Sequence, residues 1–423
     1  MQERLLHFIW QHQYFDSFNL KTSTGDPVQV IRPGMHNTNR GPDFLNAELL
    51  IRGLNWRGSV ELHVDASQWD QHGHQSDPLY NNVILHVTWT AGAGVQREDG
   101  SSIPALSLQE RTPTRILEKY AQLMSGLPHI PCIEQVEEVE DYSFYQALDT
   151  QLRRRMEMKA RKVLALWHRN NNDWDKTSFE WLTRHFGFGI NNESFEILAD
   201  SLDLKLLFRH RDRIVDVEAL IFGMAGFLEQ KRTADDYHTT LKNEFQFLRY
   251  KYGLKPRIHD FEWKFLRLRP SNFPTVRLAQ LSALISRSDN LFHTMLDNDV
   301  FLSESNTRPS SYWQSHYNFG KKRKFPHGGM GLRSRNELMM NTILPLHWAY
   351  TYSKGDHFKM GEIFTRLYRI PAERNRITRL WDRAGVDMKT ALDSQSYLAL
   401  FKHQCSRRKC LDCPVGINLL KRI

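Results

Sequence analysis

The chain has 423 residues, of which 40% are hydrophobic and 12% aromatic, so it can form two or three domains with ordinary apolar cores. The formal net charge of +9 permits binding to a polyanion but does not require it, because the excess is spread over a long chain. No apolar run approaches the roughly 20 residues that cross a bilayer, and the N-terminus lacks the pattern of a signal peptide. We therefore expect a cytoplasmic protein without a membrane partner.

The first 112 residues alternate between helical and strand patterns. Leu5, Leu6, Ile9 and Trp10 recur at helical spacing and predict a helix over 1–17. Apolar and alternating runs predict strands at 28–31, 44–51, 58–64, 83–89 and 103–108. A polar helix or loop is expected at 66–81, between the third and fourth strands. This order of elements predicts an α/β domain over 1–112.

Helical patterns dominate the rest of the chain. The longest covers 142–168, where apolar residues follow a four-residue step from Phe144 to Leu164. Residues 303–333 are rich in Ser, Asn, Gly and Lys and predict a long loop or extended arm. We therefore predict an α+β fold with a helical domain over 113–302, followed by a region over 303–423 that contains the arm, C-terminal helices and a cysteine-rich module.

Two carboxylates are expected to meet in one hairpin. Residues two apart on a strand share a face, so Glu61 and His63 should point the same way. If the strands at 44–51 and 58–64 pair, Asp43 falls close to Glu61. Such an oxygen-rich site suits Mg²⁺ or Mn²⁺, which can activate a water molecule. The alternative without a metal site is that Glu61 faces solvent and Asp43 caps a loop.

Pro42-Asp43 and Glu61-Leu62-His63 resemble the motif of the PD-(D/E)-x-K nuclease superfamily. The resemblance implies a restriction-endonuclease-like domain in which Asp43 and Glu61 bind Mg²⁺ or Mn²⁺. The protein would then cleave phosphodiesters. His63 stands where the motif has lysine, so it could act as a base, bind the metal, or indicate lost activity. Asn37, Asn39 and Arg40 precede Asp43 and could bind a substrate phosphate or shape the loop.

Histidines offer a second type of metal site. Imidazole and carboxylate groups suit Zn²⁺ or Mn²⁺, and a histidine-based metallohydrolase would use them. The alternative is a polar surface loop with one buried strand histidine, His86. The candidate ligands are His63, His72, His74, Asp77 and His86.

The four cysteines form a third candidate site. Cys405, Cys410 and Cys413 lie within nine residues, which is typical of metal ligation, and Cys132 or His403 could complete the set. A [4Fe–4S] cluster and a Zn²⁺ ion both fit this donor set. The basic residues at 407–409 are expected to lower the pKa values of the thiols. Three free thiols are the structural alternative.

Two basic stretches could bind a nucleic-acid backbone, and the expected partner is nucleic acid, with DNA preferred over RNA. They lie at 153–162 and 321–324, and Trp263, Tyr312 and Trp313 could stack on bases. The alternative is a solvated helix face and a flexible loop.

Segments distributed over nearly the whole chain resemble an uncharacterised bacterial family catalogued as a domain of unknown function. The segments are 41–44, 58–63, 82–87, 269–274 and 410–414. The first functional hypothesis is a metal-dependent nuclease, with Asp43 and Glu61 at the metal and His63 near the water. A non-catalytic nucleic-acid-binding or scaffold protein with a degenerate nuclease fold is the second, and the histidine-based metallohydrolase is the third.

Overall fold

A computed structural model describes residues 1–125, 130–139, 141–229, 235–297, 301–326, 328–356 and 360–421. The chain divides into two compact units. Unit 1 consists of Met1–Asp149, Arg379–Val386 and Tyr397–Ile423, and unit 2 of Thr150–Thr378 and Asp387–Ser396. Among the described residues, none of the helices combines the length and the apolar character needed to cross a bilayer.

The fold is mixed α+β, with a curled N-terminal sheet followed by a mostly helical region. The strands are β1 Val28–Arg32, β2 Met35–His36, β3 Phe44–Ile51, β4 Leu54–His63, β5 Val83–Thr88, β6 Val95–Gln96, β7 Ser102–Ile103, β8 Ala105–Ser107, β9 His316–Asn318 and β10 Lys321–Lys322. The helices are α1 Glu3–Gln11, α2 Gln68–Gln71, α3 Thr114–Ser125, α4 Asp141–Arg169, α5 Trp174–His185, α6 Asn192–Ser201, α7 Leu204–Arg209, α8 Ile214–Met224, α9 Asp236–Tyr252, α10 Pro274–Ser286, α11 Leu291–Asp297, α12 Ser311–Ser315, α13 Leu332–Leu338, α14 Leu344–Ser353, α15 Met360–Arg369, α16 Arg376–Arg383, α17 Ala391–His403 and α18 Pro414–Lys421, with a π-helical segment at Met339–Ile343.

The main sheet of unit 1 has the strand order β1-β3-β4-β5-β8, and β2 also pairs with β3. Strands β1, β3 and β4 are antiparallel neighbours, whereas β4, β5 and β8 run parallel. The parallel step from β4 to β5 uses a crossover that contains α2. The sheet therefore changes from antiparallel to parallel at β4.

One face of this sheet packs on the N-terminal helix. Val60 and Leu62 of β4 are fully buried in the same apolar cluster as Leu6 and Ile9 of α1. The strand alternation predicted from the sequence is confirmed, since Glu61 and His63 lie on the other face. The predicted helix over 1–17 is shorter than expected, and the strand predicted at 103–108 is interrupted at Pro104.

In unit 2, two tryptophans predicted to stack on bases are buried, and part of the predicted arm has regular secondary structure. Trp263 and Trp313 are 4% and 0% exposed, so they belong to the apolar core and cannot stack on bases. Trp313 stacks on Phe222 with a centroid distance of 4.7 Å. The predicted arm is wrong over this part, because Ser311–Ser315 is helical and β9 and β10 form a hairpin.

The basic face predicted on the long helix α4 is partly occupied within unit 2. Arg155 Nε donates a hydrogen bond to Gln395 Oε1 at 2.9 Å, and Lys159 Nζ donates to Asn341 Oδ1 at 2.6 Å. The guanidinium of Arg153 lies 4.9 Å from the centre of the Phe364 ring. These three cations are therefore held by protein groups, which argues against the predicted polyanion-binding stripe at this place.

Candidate metal centre

A β-bulge aligns the two candidate carboxylates. Strands β3 and β4 pair at Ala47 and Gly58, but the register shifts before Phe44 meets Val60. The bulge includes Asn46, whose φ of 58° lies in the left-handed region that asparagine tolerates better than most residues. Without the extra residue, Asp43 would lie opposite Leu62. With it, Asp43 lies opposite Glu61.

Asp43 and Glu61 are joined by two hydrogen bonds that run in opposite directions. The backbone N–H of Asp43 donates to Glu61 Oε2, and the backbone N–H of Leu62 donates to Asp43 Oδ2, both at 3.0 Å. Glu61 is 5% exposed, so the alternative in which Glu61 faces solvent is wrong. Burial, opposed by a hydrogen bond with His74 and reinforced by the charge of Asp43, raises the pKa of Glu61.

Three of the predicted histidines converge next to Glu61. One potential ligand atom from each of His63, His72 and His74 lies within 4.8 Å of the other two, so the three could hold one ion. Glu61 Oε1 lies 3.6 Å from His63 Nε2 and 3.4 Å from His74 Nε2. His63 is fully buried, whereas His72 is exposed. The cluster therefore reaches from the sheet to solvent.

The local chain explains this convergence. His63 is the last residue of β4, and the crossover that begins there brings back His72 and His74 after α2. Gly73, between them, has a φ of 76°, which a residue with a Cβ adopts at a cost. His74 stacks on Tyr80 with a centroid distance of 3.8 Å, which fixes the orientation of its ring.

His86 supports His63 from the neighbouring strand. His63 Nδ1 lies 2.9 Å from His86 Nε2, and both rings are buried. Burial, reinforced by neighbouring imidazoles, lowers the pKa of His63 to about 3 and that of His86 to about 4. Both are therefore neutral, as a metal ligand must be. If His63 Nδ1–H donates to His86, the lone pair of His63 Nε2 is available to a metal.

His7 is a site residue that the sequence analysis missed. Its Nε2 lies 3.2 Å from Asp43 Oδ2. Burial acts to lower the pKa of His7, but the hydrogen bond and charge of Asp43 outweigh it and raise the value. The available signal was a histidine within the apolar stripe of α1, and it did not reveal which strand the helix would cover.

The loop residues proposed as phosphate contacts have protein partners. Asn37 Nδ2 donates to the carbonyl of Pro42 at 3.0 Å, and Asn37 Oδ1 accepts from the backbone N–H of Asn39 at 2.9 Å. Arg40 pairs with Asp77 at 3.0 Å. Asp77 also accepts a hydrogen bond from the backbone N–H of Leu79. Their contacts in this structure shape and close the loop, and Asp77 lies outside the three-histidine group.

The profile of a family described as "Protein of unknown function (DUF2851)" matches residues 3–376. The chain belongs to the DUF2851 family. The family resemblance expected from the sequence is thus confirmed, and it brings no assigned activity. No curated protein and no solved structure matches the chain significantly.

The four cysteines of this DUF2851 chain are all buried in unit 1. Burial, reinforced by the charges of Cys413 and Cys410, raises the pKa of Cys132 to about 12. Burial, followed by the charges of Cys132, Cys413 and Cys410, raises the pKa of Cys405. The expected lowering by basic residues is wrong, because burial outweighs the effect of Arg408 on Cys410. Among the described residues, potential ligand atoms within 4.8 Å of one another are found for His63, His72 and His74 but not for these thiols.

Proposed function

We propose that this protein is a metal-dependent hydrolase that cleaves phosphodiester bonds in nucleic acid, with the ion held by His63, His72 and His74 beside Glu61. The observation that carries the proposal is the 4.8 Å grouping of the three imidazoles next to a buried carboxylate. Imidazole ligands favour Zn²⁺ or Mn²⁺, and Mg²⁺ prefers oxygen. Of the two ions considered for the carboxylates, Mn²⁺ is therefore the better fit.

Each residue of the site has a distinct role in this proposal. A bound Zn²⁺ or Mn²⁺ ion would lower the pKa of a coordinated water and polarise a phosphoryl oxygen. Glu61 Oε1 faces His63 and His74, so it is placed to bind the ion or to accept a proton from the attacking water. Asp43 holds Glu61 through its backbone N–H, and His7 balances the charge of Asp43.

The charge distribution supports a polyanionic substrate, and it favours unit 2 over unit 1 as the part that binds it. Unit 1 contains 18 Lys and Arg against 21 Asp and Glu, a formal charge of −3. Unit 2 contains 39 against 27, a formal charge of +12. Since clustered positive charge attracts phosphates, unit 2 is the better candidate to bind nucleic acid. A nuclease-like arrangement also agrees with the Asp43–Glu61 pairing and with the order of strands around it.

Cleavage assays with metal-reconstituted protein test this function. Metal-free protein is loaded with Mn²⁺, Zn²⁺ or Mg²⁺ and incubated with single- and double-stranded DNA and RNA. We expect cleavage with Mn²⁺ or Zn²⁺ that falls to background in Glu61→Ala. The matched control is His12→Ala, because His12 contacts the rings of Phe8 and Tyr14 and not the site.

The other outcomes separate the remaining hypotheses. Nucleic-acid binding without cleavage under every metal would contradict a nuclease and support the scaffold protein with a degenerate nuclease fold. Stoichiometric metal without any effect on nucleic acid would point to a metallohydrolase that acts on a small molecule.

We also propose that Cys132, Cys405, Cys410 and Cys413 hold a [4Fe–4S] cluster or a Zn²⁺ ion. Support comes from four soft donors buried within one unit, since Cys132, Cys410 and Cys413 all raise the pKa of Cys405. Such a centre would be structural, because it links residue 132 to the C-terminal segment of unit 1.

Anaerobic purification decides between the two. We expect either a broad absorption band with about four Fe per chain or about one Zn per chain. Cys410→Ser should lose the metal and lower the melting temperature. A colourless protein that contains neither metal, and whose stability does not change with a chelator, would contradict the proposal.

A further inference from the structure

Unit 2 contains a polar cavity of about 380 Å³, far in sequence from the histidines and built independently of them. Its size lies within the range of small-molecule sites, about 300–1,000 Å³. Three arginines, one glutamate and several neutral polar groups face it. They include Arg269, Asn272, Arg277, Arg333, Ser334 and Glu337.

Arg277 is a buried cation whose hydrogen-bond partners are all neutral among the described residues. It is 4% exposed. Its guanidinium donates to Gln280 Oε1 at 2.9 Å, and to Asn272 Oδ1 and Ser334 Oγ at 2.8 Å. Its Nε is buried and has no hydrogen-bond partner in the described part of the chain. The charge of Glu337 acts on Arg277 and opposes the effect of burial on its pKa, but no hydrogen bond joins the two among the described residues. Burying a positive charge without a hydrogen-bonded anionic partner is unfavourable.

The position of Arg277 in its helix increases this cost. It lies in the first turn of α10, which begins at Pro274, where the helix dipole is positive and disfavours a further cation. Burial lowers the pKa of the Arg277 guanidinium to about 10, so the group remains charged at neutral pH. A helix N-terminus and a charged arginine together favour an anion at this place.

An aromatic ring holds the guanidinium in position. Arg277 Cζ lies 4.1 Å from the centre of the Phe188 ring. Phe188 has a φ of 46°, a conformation that is rare for a bulky residue and must be held by its surroundings. The ring covers one face of the guanidinium and leaves its edges for hydrogen bonds.

We propose that this cavity binds the phosphate group of a phosphorylated ligand, with Arg277 as the buried contact and Arg269 and Arg333 as contacts at the rim. Planar guanidinium groups suit phosphate oxygens. Glu337 is the acidic residue that lines the cavity, and burial, followed by the charge of Glu373, raises its pKa. Its ionised form interacts with Arg277 and Arg333 and would compete with a bound phosphate for them. The inference does not depend on the metal centre.

Binding to the full-length protein tests the proposal. Inorganic phosphate, a nucleoside monophosphate and an oligonucleotide with a 5′-phosphate are titrated by calorimetry, after removal of divalent metals, with the unphosphorylated nucleoside and oligonucleotide beside them. We expect saturable binding that requires the phosphate. The double variant Arg269→Ala/Arg333→Ala should bind at least about 10-fold more weakly, because each lost contact is charged. Both residues are exposed, so the fold should persist.

Two further variants sharpen the test. Arg257→Ala removes an exposed arginine that does not line the cavity and should leave binding unchanged. Glu337→Gln should bind phosphate several-fold more tightly, since it removes a competing carboxylate without changing the shape. Tighter binding of the phosphorylated oligonucleotide than of the monophosphate would identify a nucleic-acid end as the source, and equal binding a small molecule. Absence of saturable phosphate binding, or binding that Arg269→Ala/Arg333→Ala leaves unchanged, would overturn the proposal.

Discussion

The double variant His72→Ala/His74→Ala is expected to lose stoichiometric Zn²⁺ or Mn²⁺ and all metal-dependent hydrolysis. Two of the three grouped imidazoles disappear, which leaves His63 and Glu61. Loss of even a supporting residue typically weakens metal binding by about 10- to 100-fold, so loss of two ligands should exceed this. Metal content by mass spectrometry of the purified protein, together with the cleavage assay, measures the effect.

The fold of this variant should remain intact, because His72 is exposed and both residues lie in a crossover rather than in the sheet. His12→Ala is the control and should retain the metal. An unchanged metal content in His72→Ala/His74→Ala would rule out the histidine centre. If the metal is instead lost only in Asp43→Asn/Glu61→Gln, the oxygen-ligand site predicted from the sequence would be correct.

The buried Glu218 of unit 2 is expected to make the free energy of unfolding depend on pH. Glu218 is fully buried in α8, and its Oε2 accepts hydrogen bonds from Tyr237 Oη at 2.5 Å and Trp313 Nε1 at 3.1 Å. Burial raises the pKa of Glu218 to about 7, from 4.5 for an ordinary glutamate. Between these values the unfolded chain has released a proton that the folded chain still holds. The free energy of unfolding should therefore fall as pH rises from about 4.5 to about 7.

The expected size of this fall is about 3 kcal/mol, at about 1.4 kcal/mol for each unit of pKa shift. Glu218→Gln removes the titration, so its stability relative to the unsubstituted protein should rise by that amount between pH 4.5 and pH 8. Urea unfolding at the two pH values measures it. The control Glu193→Gln lies at an exposed position of α6. It should change the free energy of unfolding by the same amount at both pH values. A pH-independent effect of Glu218→Gln would contradict the assignment.

Local sequence rules predicted much of the main sheet of unit 1 and of its candidate metal site. Strand alternation placed Glu61 and His63 on one face, and hairpin pairing placed Asp43 near Glu61. These rules succeed because the alternation of side chains along a strand and the pairing of strands in a hairpin depend on a few neighbouring residues. His72 and His74 were named as candidate ligands from the sequence, but the left-handed turn at Gly73 between them was not predicted.

Long-range packing was beyond such rules. His7 meets Asp43 only because α1 packs across the sheet, and no local pattern fixes that contact. Trp313 lies in a polar, lysine-rich segment that is typical of loops, yet burial of its large ring decides its position. The pKa values of the cysteines were predicted in the wrong direction, because neighbouring charges can be read from sequence and burial cannot.

The bulge at Asn46 has a consequence for how this family can vary. The pairing of Asp43 with Glu61 depends on the number of residues between Phe44 and Ala47 and on a residue at position 46 that accepts a φ of 58°. Substitutions that keep this length and this backbone conformation can therefore accumulate while the site is retained. An insertion or deletion of one residue there would exchange the two faces of the strand end and turn Asp43 away from Glu61. Among relatives, constant length of this segment would therefore be a better sign of a retained metal centre than constant sequence.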